Sequence, residues 1–240
     1  MALNHFCWTD LSTFDLRAAR KDYAGLFGWR FGGDRDYDVA LLDGQPVAAI
    51  FPMPAKLAKI NMPSFWMSYV HVKGLEALVT RARAHPDVIV EIEPTAFGPD
   101  AQTALVRDPS GAGFTLYEGP EITPAPGPGR VLARYHHLTD ATQIEAFYAD
   151  LFGWRFDPAT GGPRGAKWPC WDICHADGDV IAHVEEVPQE VRRTYRYWIP
   201  CFACNVGPNP QGMTRLSDLG DGCVIYADRQ GASFMLRNEP

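Results

Sequence analysis

Cysteine is the residue type with the clearest potential for metal or redox chemistry, and most of the cysteines lie in the second half of the chain. Cys201 and Cys204 have a Cys-x-x-Cys spacing, and Cys170 and Cys174 precede them. Zinc sites and redox pairs need a turn or a helix start that brings two sulfurs together. An odd separation along a strand sends the side chains to opposite faces. We therefore expect free thiols that pack as small apolar residues, and not a four-thiol zinc site.

Histidine and aspartate offer acid–base chemistry in the first half. His71 ends an apolar run, and a histidine oriented by a carboxylate such as Asp10 suits proton transfer near neutral pH. Tyr69, two residues before His71, would share its strand face. The alternative is that Asp10 only hydrogen-bonds to backbone groups at the entry of the following helix.

Four further histidines lie in the second half. His136 and His137 are adjacent, so on a strand they face opposite sides and cannot readily share one metal ion. His175 and His183 flank an Asp-Gly turn and could approach each other across the hairpin. Exposed hairpin histidines are the simpler interpretation.

Composition and motifs exclude several classes of protein. The chain has 240 residues, a formal charge of −7 and no cluster of Lys and Arg, which argues against a nucleic-acid partner. Its apolar runs are too short to cross a membrane, and its N-terminus does not resemble a signal peptide, so a cytoplasmic protein is expected. The sequence contains no nucleophile elbow, no phosphate-binding loop and no dinucleotide-binding motif.

An internal repeat organises the chain. The segment from Tyr23 to Phe31 recurs from Tyr148 to Phe156 with eight of nine residues identical, and Asp108-Pro-Ser-Gly recurs as Asp228-Arg-Gln-Gly. Such a period indicates two copies of one structural unit. We predict a first domain over residues 1–119, a Pro/Gly-rich linker over 120–130 and a second domain over 131–240. The two copies are expected to form an intrachain pseudo-dimer, and a homodimer remains possible.

Apolar periodicity and turn residues give the elements of each copy. In the first copy, Asp15 and Gly28 should bound a helix, and Asp43-Gly44 should form a type I′ hairpin. The predicted strands are 3–13, 37–42, 46–52, 65–72, 103–107 and 112–118, with helices over 16–27 and 74–84. In the second copy they are strands 131–139, 169–175 and 179–186, a helix over 141–152, a last module that begins at Tyr195, and a shortened helix over 213–218.

Paired strand–helix–strand–strand–strand modules whose helices end in Leu-Phe-Gly-Trp resemble a known superfamily. It is the glyoxalase / bleomycin-resistance / extradiol-dioxygenase group, also called vicinal oxygen chelate. The segment from Trp8 to Asp15 further resembles the tandem-domain actinobacterial branch described as glyoxalase-like or hydroxylase. The resemblance implies an α+β fold of two tandem domains, each made of paired βαβββ modules that form a curled mixed sheet. It implies a trough in each domain, but one fold hosts many chemistries.

Members of this superfamily that carry a metal place His, His and Glu ligands in the trough, where a divalent ion acts as a Lewis acid. Counted from local anchors, the corresponding positions in this chain are occupied by side chains that do not normally bind such an ion: Trp8, Met67, Thr115, Ala133, Ile199 and Met235. The resemblance therefore implies a metal-free protein with no cofactor. The alternative set is His5, His71 and Glu118, holding one Fe, Mn, Ni or Zn ion. Alternation along the strands would turn His5 and Glu118 away from the trough.

The same alternation selects residues that line the trough. Ligand-binding candidates are Trp8, Met67, Tyr69, Thr115, Tyr117, Tyr135 and His137. Aromatic walls with a few polar groups are typical of small-molecule pockets. The resemblance therefore implies a protein that binds a small, partly aromatic metabolite or antibiotic. The alternative is an enzyme of secondary metabolism, either a metal-dependent lyase, isomerase or dioxygenase, or a metal-free acid–base catalyst that uses Asp10, His71 and Tyr69.

Overall fold

The computed structural model describes residues 3–33, 36–60, 62–123, 126–159, 168–192, 196–204, 210–220 and 222–237. The predicted module start at Tyr195 and part of the predicted linker lie outside them. The described strands form two eight-stranded mixed sheets. The order of the first is β2-β3-β4-β1-β5-β8-β7-β6, and the order of the second is β10-β11-β12-β9-β13-β16-β15-β14.

The first sheet and its helices lie within residues 5–118. Its strands are β1 (His5–Thr13), β2 (Arg30–Phe31), β3 (Asp38–Leu42), β4 (Gln45–Pro52), β5 (Phe65–His71), β6 (Ile89–Ala96), β7 (Gln102–Arg107) and β8 (Gly113–Glu118). The helices are α1 (Leu16–Phe27), α2 (Ala55–Ala58) and α3 (Leu75–Arg83). The pairs β1–β4 and β5–β8 are parallel, whereas β2–β3, β3–β4, β6–β7 and β7–β8 are antiparallel.

The second sheet and its helices lie within residues 131–237. Its strands are β9 (Val131–Leu138), β10 (Arg155–Pro158), β11 (Cys170–Cys174), β12 (Val180–Glu186), β13 (Ile199–Ala203), β14 (Met213–Gly220), β15 (Cys223–Asp228) and β16 (Ser233–Arg237). The helices are α4 (Thr142–Phe152) and α5 (Gln189–Arg192). The α+β architecture of tandem βαβββ modules is therefore confirmed.

Local signals set the helix ends as predicted. The Asp15 side chain accepts a hydrogen bond from the Ala18 backbone N–H, which satisfies a donor that the first turn of α1 leaves open. Gly28 and Gly153 end α1 and α4 at φ 72° and 70°, a left-handed conformation that favours glycine. Asp43 and Gly44 both have positive φ, as a type I′ turn requires.

Two predictions about the outer strands are wrong. Residues 213–220 form β14 and not a short helix, because their backbone groups pair with β15 from Met213–Asp228 to Gly220–Cys223. The Thr, Ser and Asp residues of this segment compete poorly for a helix once a neighbouring strand is available. The structure also contains β6, which the sequence analysis omitted. Strands β6 and β14 are the edge strands at equivalent places in the two sheets.

The described chain divides into two compact units. The first unit comprises residues 1–7, 68–123 and 134–198, and the second comprises residues 8–67, 124–133 and 199–240. Each unit thus draws residues from both copies of the repeat. In the first unit, α3 and α4 bury apolar side chains in one core with residues of β5, β7, β8, β9 and β12.

A buried Trp–Tyr–Asp chain of hydrogen bonds lies at the centre of the first unit. Trp198 Nε1 donates to Tyr148 Oη at 2.8 Å, and Tyr148 Oη donates to Asp108 Oδ2 at 3.0 Å. Tyr148 belongs to the repeated helix motif of the second copy, whereas Asp108 belongs to the repeated turn motif of the first copy. The unit is therefore held together by motifs from different copies.

The second unit contains the same chain of contacts with the copies exchanged. Trp66 Nε1 donates to Tyr23 Oη at 3.2 Å, and Tyr23 Oη donates to Asp228 Oδ2 at 3.1 Å. Trp66, Tyr23 and Asp228 are all buried. Such bonds contribute about 1 kcal/mol each, but a buried carboxylate without a partner costs considerably more. The repeated tyrosines therefore donate the hydrogen bonds that these buried carboxylates need, and each donates to the aspartate of the other copy.

Candidate functional site

The candidate site on the first sheet is built on β5 and β8. Tyr69 is the parallel partner of Thr115, and His71 is the partner of Tyr117. Partners at the same register share a sheet face, so alternation along the strands brings these four side chains together. All four are buried, and they present two phenols, a hydroxyl and an imidazole on one surface.

His71 contributes the imidazole of this group. Its Nε2 atom lies 3.1 Å from the carbonyl oxygen of Gly119. Its Nδ1 atom is buried, and no described residue forms a hydrogen bond with it. The side chain is only 4% exposed, so this nitrogen is also shielded from bulk water. A buried ring nitrogen without a partner is costly unless a bound molecule satisfies it.

His5 lies beside His71. Their ring centroids are 5.9 Å apart in an edge-to-face arrangement. The sequence analysis expected His5 to point away from the trough, but the structure brings its ring next to His71. Burial first, and then the positive charge of a protonated His71, lower the pKa of His5. The ring therefore favours its neutral form, which can accept a proton or bind a hydroxyl group.

Aromatic rings surround the two histidines. The Tyr117 ring lies 5.8 Å from His71, and the Phe97 ring lies 6.4 Å from both Tyr69 and Tyr117. The Tyr117 hydroxyl donates to the carbonyl of Pro120 at 3.0 Å, and burial raises the pKa of this phenol. Phe97 follows β6, and no sequence pattern pointed to it.

A cavity of about 420 Å³ lies close to these residues. Its lining residues are Pro94, Thr95, Ala96, Pro99, Asp100, Ala101, Gln102, Glu118 and Gly119. Gly119 is also the hydrogen-bond partner of His71, and Ala96 precedes Phe97. The volume is that of a small-molecule site. The sequence analysis selected the neighbouring aromatic residues but, apart from Glu118, none of the residues that line this cavity.

The candidates in the second compact unit lie in a different setting. Trp8 Nε1 donates to Tyr37 Oη at 2.9 Å, and Tyr37 Oη donates to Asp10 Oδ2 at 3.1 Å. Asp10 is fully buried, and Met67 is 8% exposed. The carboxylate of Asp10 therefore accepts a hydrogen bond from a phenol that the sequence analysis did not anticipate.

Glu118 has a structural task. Its carboxylate accepts hydrogen bonds from the backbone N–H groups of Gly74 and Leu75, at the start of α3, and from the Gln102 amide. Burial would raise the pKa of Glu118, but these donors outweigh it and lower the pKa. Its oxygens are thus directed to a helix N-terminus, a favourable place for a negative charge.

These positions do not provide a fitting set of metal ligands. Among the described residues, no three His, Cys, Asp or Glu side chains converge on a point that could hold an ion. His5 and His71 approach each other, but the oxygens of Glu118 are engaged by the start of α3. The described side chains at Trp8, Met67, Thr115, Ala133, Ile199 and Met235 do not carry donors suited to such an ion.

The second sheet carries a polar surface on β9, β12 and β11. Tyr135 pairs with His183, and His183 pairs with Asp172. In the next row, His137 pairs with Glu185. The sequence analysis selected Tyr135 and His137 but interpreted His183 as an exposed hairpin residue.

That interpretation of the hairpin histidines is wrong. His183 is 16% exposed, and its Nδ1 lies 2.9 Å from Asp172 Oδ1. His175 is 19% exposed, and its Nδ1 lies 2.9 Å from Asp177 Oδ2. Each histidine therefore contacts a carboxylate of its own. The Asp-Gly turn in the sequence does not indicate these contacts.

His136 and His137 face opposite sides of β9, as predicted. His136 Nε2 lies 2.9 Å from Asp108 Oδ2 in the core, whereas His137 Nε2 lies 3.0 Å from Glu185 Oε2 on the other face. Burial would raise the pKa of Asp108, but the adjacent His136 and the hydrogen bonds from Ser110 and Ala112 lower it.

All six cysteines are free thiols, as expected. Cys201 and Cys204 lie in the second compact unit, whereas Cys170 and Cys174 lie in the first. Burial, partly opposed by the charge of Arg134, raises the pKa of Cys7 to about 12. This thiol is therefore unreactive at neutral pH.

Comparisons with known proteins agree with this architecture. Residues 2–116 match the model of the Glyoxalase/Bleomycin resistance protein/Dioxygenase superfamily. The Mycobacterium tuberculosis protein CFP32, provisionally named a glyoxylase, is 34% identical over 117 residues, covering 46% of this chain and 44% of CFP32. The anthracycline biosynthesis protein DauV from Streptomyces sp. (strain C5) is 30% identical over 189 residues, covering 69% of this chain and 66% of DauV. The chain thus matches less than half of the length of CFP32 and just under two thirds of DauV.

Solved structures share the fold at low identity. The Mn(II)-bound glyoxalase from Novosphingobium aromaticivorans has a TM-score of 0.61 at 11% identity, covering 99% of this chain and 82% of that protein. A catechol 2,3-dioxygenase has a TM-score of 0.59 at 14% identity, covering 100% of this chain and 89% of the other. The fold is thus that of tandem vicinal-oxygen-chelate proteins. Residues 2–116, the first copy of the repeat, thus match the glyoxalase/bleomycin resistance/dioxygenase superfamily. In the described residues, no helix is long and apolar enough to cross a membrane.

Proposed function

We propose that this protein binds a small, flat, partly aromatic molecule at the face formed by Tyr69, His71, Thr115 and Tyr117, without a metal ion. The observation that carries the proposal is the buried Nδ1 atom of His71, which has no hydrogen-bond partner among the described residues. A ligand hydroxyl or carbonyl-adjacent N–H group would satisfy it. The hydrogen bond to the ligand would then offset the free-energy cost of burying that nitrogen.

The surroundings of His71 favour an aromatic ligand. Phe97, Tyr69 and Tyr117 form ring contacts with one another or with His71 at centroid distances of 5.8 to 6.4 Å. Offset and edge-to-face contacts of this kind stabilise a bound ring beyond simple burial. The cavity beside Gly119 supplies a volume in the range of small-molecule sites. In the first unit we propose Tyr135 and His137 as further ligand-binding residues, and in the second unit we propose Trp8 and Met67.

The relatives support a polycyclic aromatic class. DauV, and the Streptomyces peucetius protein DnrV at 27% identity, are named as anthracycline biosynthesis proteins. Anthracyclines carry a flat ring system with phenol and carbonyl groups, which matches a site that has aromatic walls and an unpaired imidazole nitrogen. We therefore infer a ligand that contains a hydroxylated anthraquinone or a similar ring system.

Fluorescence titration of the purified protein with alizarin and with daunorubicin tests the proposal. We expect saturable quenching of tryptophan emission, and His71→Gln should weaken binding about tenfold, the loss of one buried hydrogen bond. Gln can still reach Gly119, so the fold is retained. His85→Ala is the matched control, because His85 pairs with Asp150 on the exposed surface. Equal affinity in all three proteins, or no saturable binding, would overturn the proposal.

The enzymatic alternatives predict different results. An acid–base catalyst that uses Asp10, His71 and Tyr69 would lose turnover in His71→Gln while ligand affinity changes little. A metal enzyme that uses His5, His71 and Glu118 would contain about one Fe, Mn, Ni or Zn ion per chain, and that ion would be lost in the His71 variant. Elemental mass spectrometry of protein purified without an affinity tag separates this case from the metal-free binder.

A further inference from the structure

His71 is held in one tautomer by a backbone carbonyl of the first compact unit. Its Nε2 atom lies 3.1 Å from the carbonyl oxygen of Gly119. A carbonyl oxygen can only accept a hydrogen bond, so Nε2 must carry the proton. In the neutral ring the other nitrogen, Nδ1, then presents a lone pair and no N–H group. The buried nitrogen of His71 is therefore a hydrogen-bond acceptor and not a donor.

No described residue offers a donor to this lone pair. The adjacent ring of His5 does not supply one, because its own Nδ1 atom is also buried and has no partner in the described part of the chain. The Tyr117 hydroxyl is engaged as well, since it donates to the carbonyl of Pro120. Protonation of Nδ1 would not remove the cost, because it would leave a buried charged N–H group without an acceptor. The donor that this nitrogen needs must therefore come from a bound molecule.

Gly119 can present its carbonyl to His71 because it has no side chain. A Cβ atom at this position would lie 2.5 Å from the Cβ atom of Ala101 and 2.7 Å from the hydroxyl oxygen of Tyr117. Both distances are far shorter than a van der Waals contact, so a larger residue would displace the backbone or its neighbours. Gly119 also lines the cavity of about 420 Å³. The residue that fixes the tautomer thus belongs to the wall of that cavity.

We propose that His71 makes this site selective for aromatic ligands that carry a free hydroxyl group, and that Gly119 is its positioning residue. This selectivity rests on the ligand binding proposed above and refines it. The ligand hydroxyl donates its hydrogen to Nδ1 of His71. A methyl ether or a quinone oxygen at the same place would bring a second acceptor against the nitrogen lone pair, and neither atom would then have a donor. A site built for a hydroxyl group therefore rejects the analogue that lacks it.

The affinities of 2-hydroxyanthraquinone and 2-methoxyanthraquinone compare a donor with an acceptor on the same ring system. Fluorescence titration at a pH below the pKa of the phenol keeps the hydroxyl group protonated. The full-length protein should bind the hydroxy compound about tenfold more tightly, the effect of one buried hydrogen bond. In His71→Gln the two affinities should be equal, because the amide can still donate to Gly119 but no nitrogen takes the place of Nδ1. His85→Gln is the matched control and should keep the preference, since His85 pairs with Asp150 outside this site.

Nitrogen-15 NMR of the histidine rings reads the tautomer of His71 directly. The spectrum should show a protonated Nε2 and a proton-free Nδ1, and the Nδ1 resonance should shift when 2-hydroxyanthraquinone forms a hydrogen bond with it. Gly119→Ala tests the positioning residue, because the added methyl group moves the carbonyl away from Nε2. In this variant the ring should show a mixture of tautomers, and the preference for the hydroxy compound should fall. A purely structural role of Gly119 would change stability but not the tautomer.

Failure of the selectivity and failure of ligand binding give different results. Saturable binding of both compounds with equal affinity in the wild-type protein would overturn the selectivity and leave the binding of aromatic rings in place. A preference that survives in His71→Gln would overturn the role of His71, as would an NMR spectrum with the proton on Nδ1. The absence of saturable binding for either compound would instead reject the proposed function, and the selectivity with it.

Discussion

Tyr148 and Asp108 are joined by a 3.0 Å hydrogen bond, although they belong to different copies of the internal repeat. Tyr23 and Asp228 form the reciprocal bond at 3.1 Å. Each repeated tyrosine thus satisfies the turn aspartate of the other copy. The copies that are visible in the sequence are therefore not the units that bury a core together.

This exchange predicts that neither copy folds by itself. A fragment of residues 1–119 retains Asp108 and Tyr23 but loses their partners from the other copy, Tyr148 and Asp228, and the apolar residues of α4. We expect this fragment to show no cooperative thermal unfolding by circular dichroism. An equimolar mixture with residues 120–240 should recover the transition. Cooperative unfolding of the isolated fragment at the temperature of the full chain would contradict the exchange.

The two aspartates should respond to pH in opposite directions. Burial would raise the pKa of Asp108, but His136, Ser110 and Ala112 lower it. Its ionised form therefore stabilises the fold above its unfolded pKa of about 3.9, and that stability is lost as the pH falls through the lower folded value. Burial raises the pKa of Asp228, despite its hydrogen bonds. Its contribution is full below about pH 3.9 and is lost as the pH rises through the raised folded value.

Matched Asn substitutions measure this difference. At pH 7, Asp108→Asn should lower the free energy of unfolding by about 3 kcal/mol, because it removes a buried carboxylate and leaves some of its hydrogen-bond donors, among them Ser110 and Tyr148, without a full partner. Asp228→Asn removes a carboxylate whose ionised form is disfavoured in the folded protein. The free energy of unfolding should therefore fall much less in this variant. The difference between the variants should shrink towards pH 4 in urea titrations. If the two variants lost the same free energy of unfolding at pH 7 and at pH 4, the contact with His136 would not control the pKa of Asp108.

The sequence predicted most of the fold because its signals are local. The cap at Asp15, the glycines that end α1 and α4, and the Asp43-Gly44 hairpin depend on residues a few positions apart. The exchange between copies could not be predicted in this way. Tyr23 lies 85 residues before the turn aspartate of its own copy, and Tyr148 lies 80 residues before its own. Nothing local indicates that each tyrosine contacts the aspartate of the other copy.

The candidate sites were predictable only where strand alternation holds. It correctly groups Tyr69 with His71 and Thr115 with Tyr117, since these strands are regular. It did not anticipate that the His5 ring lies next to His71. His183 and Asp172 escaped detection for another reason: their contact depends on the register between β11 and β12, which is a tertiary property.

Cysteine reactivity provides a third prediction. Only Cys170 is partly exposed, whereas the other five cysteines are buried. Burial also raises the pKa values of Cys7 and Cys174. Iodoacetamide at neutral pH should therefore modify Cys170 alone in the native protein, as judged by peptide mass spectrometry. Labelling in urea is the control and should reach all six residues. Native labelling of Cys201 and Cys204 would contradict the burial of that pair.

The last prediction concerns Glu118, which either caps α3 or binds a metal ion. These two roles have different consequences for stability. As the partner of the Gly74 and Leu75 backbone N–H groups, it stabilises the start of α3. Glu118→Gln should then lower the free energy of unfolding by about 1 kcal/mol, the usual value of a helix cap. The lowered pKa of Glu118 means that this contribution is present above its unfolded value and disappears as the pH falls through the folded one.

The matched control is Glu93→Gln, which removes an exposed strand carboxylate paired with Arg83. An exposed pair contributes little, so this variant should unfold almost as the wild type does. Urea denaturation at pH 7 and pH 4 would separate the two variants. If Glu118 were instead a metal ligand, Glu118→Gln would lower the content of Fe, Mn, Ni or Zn per chain. Its unfolding free energy would then depend on added divalent ions, because a metal bound only by the native state stabilises it by mass action.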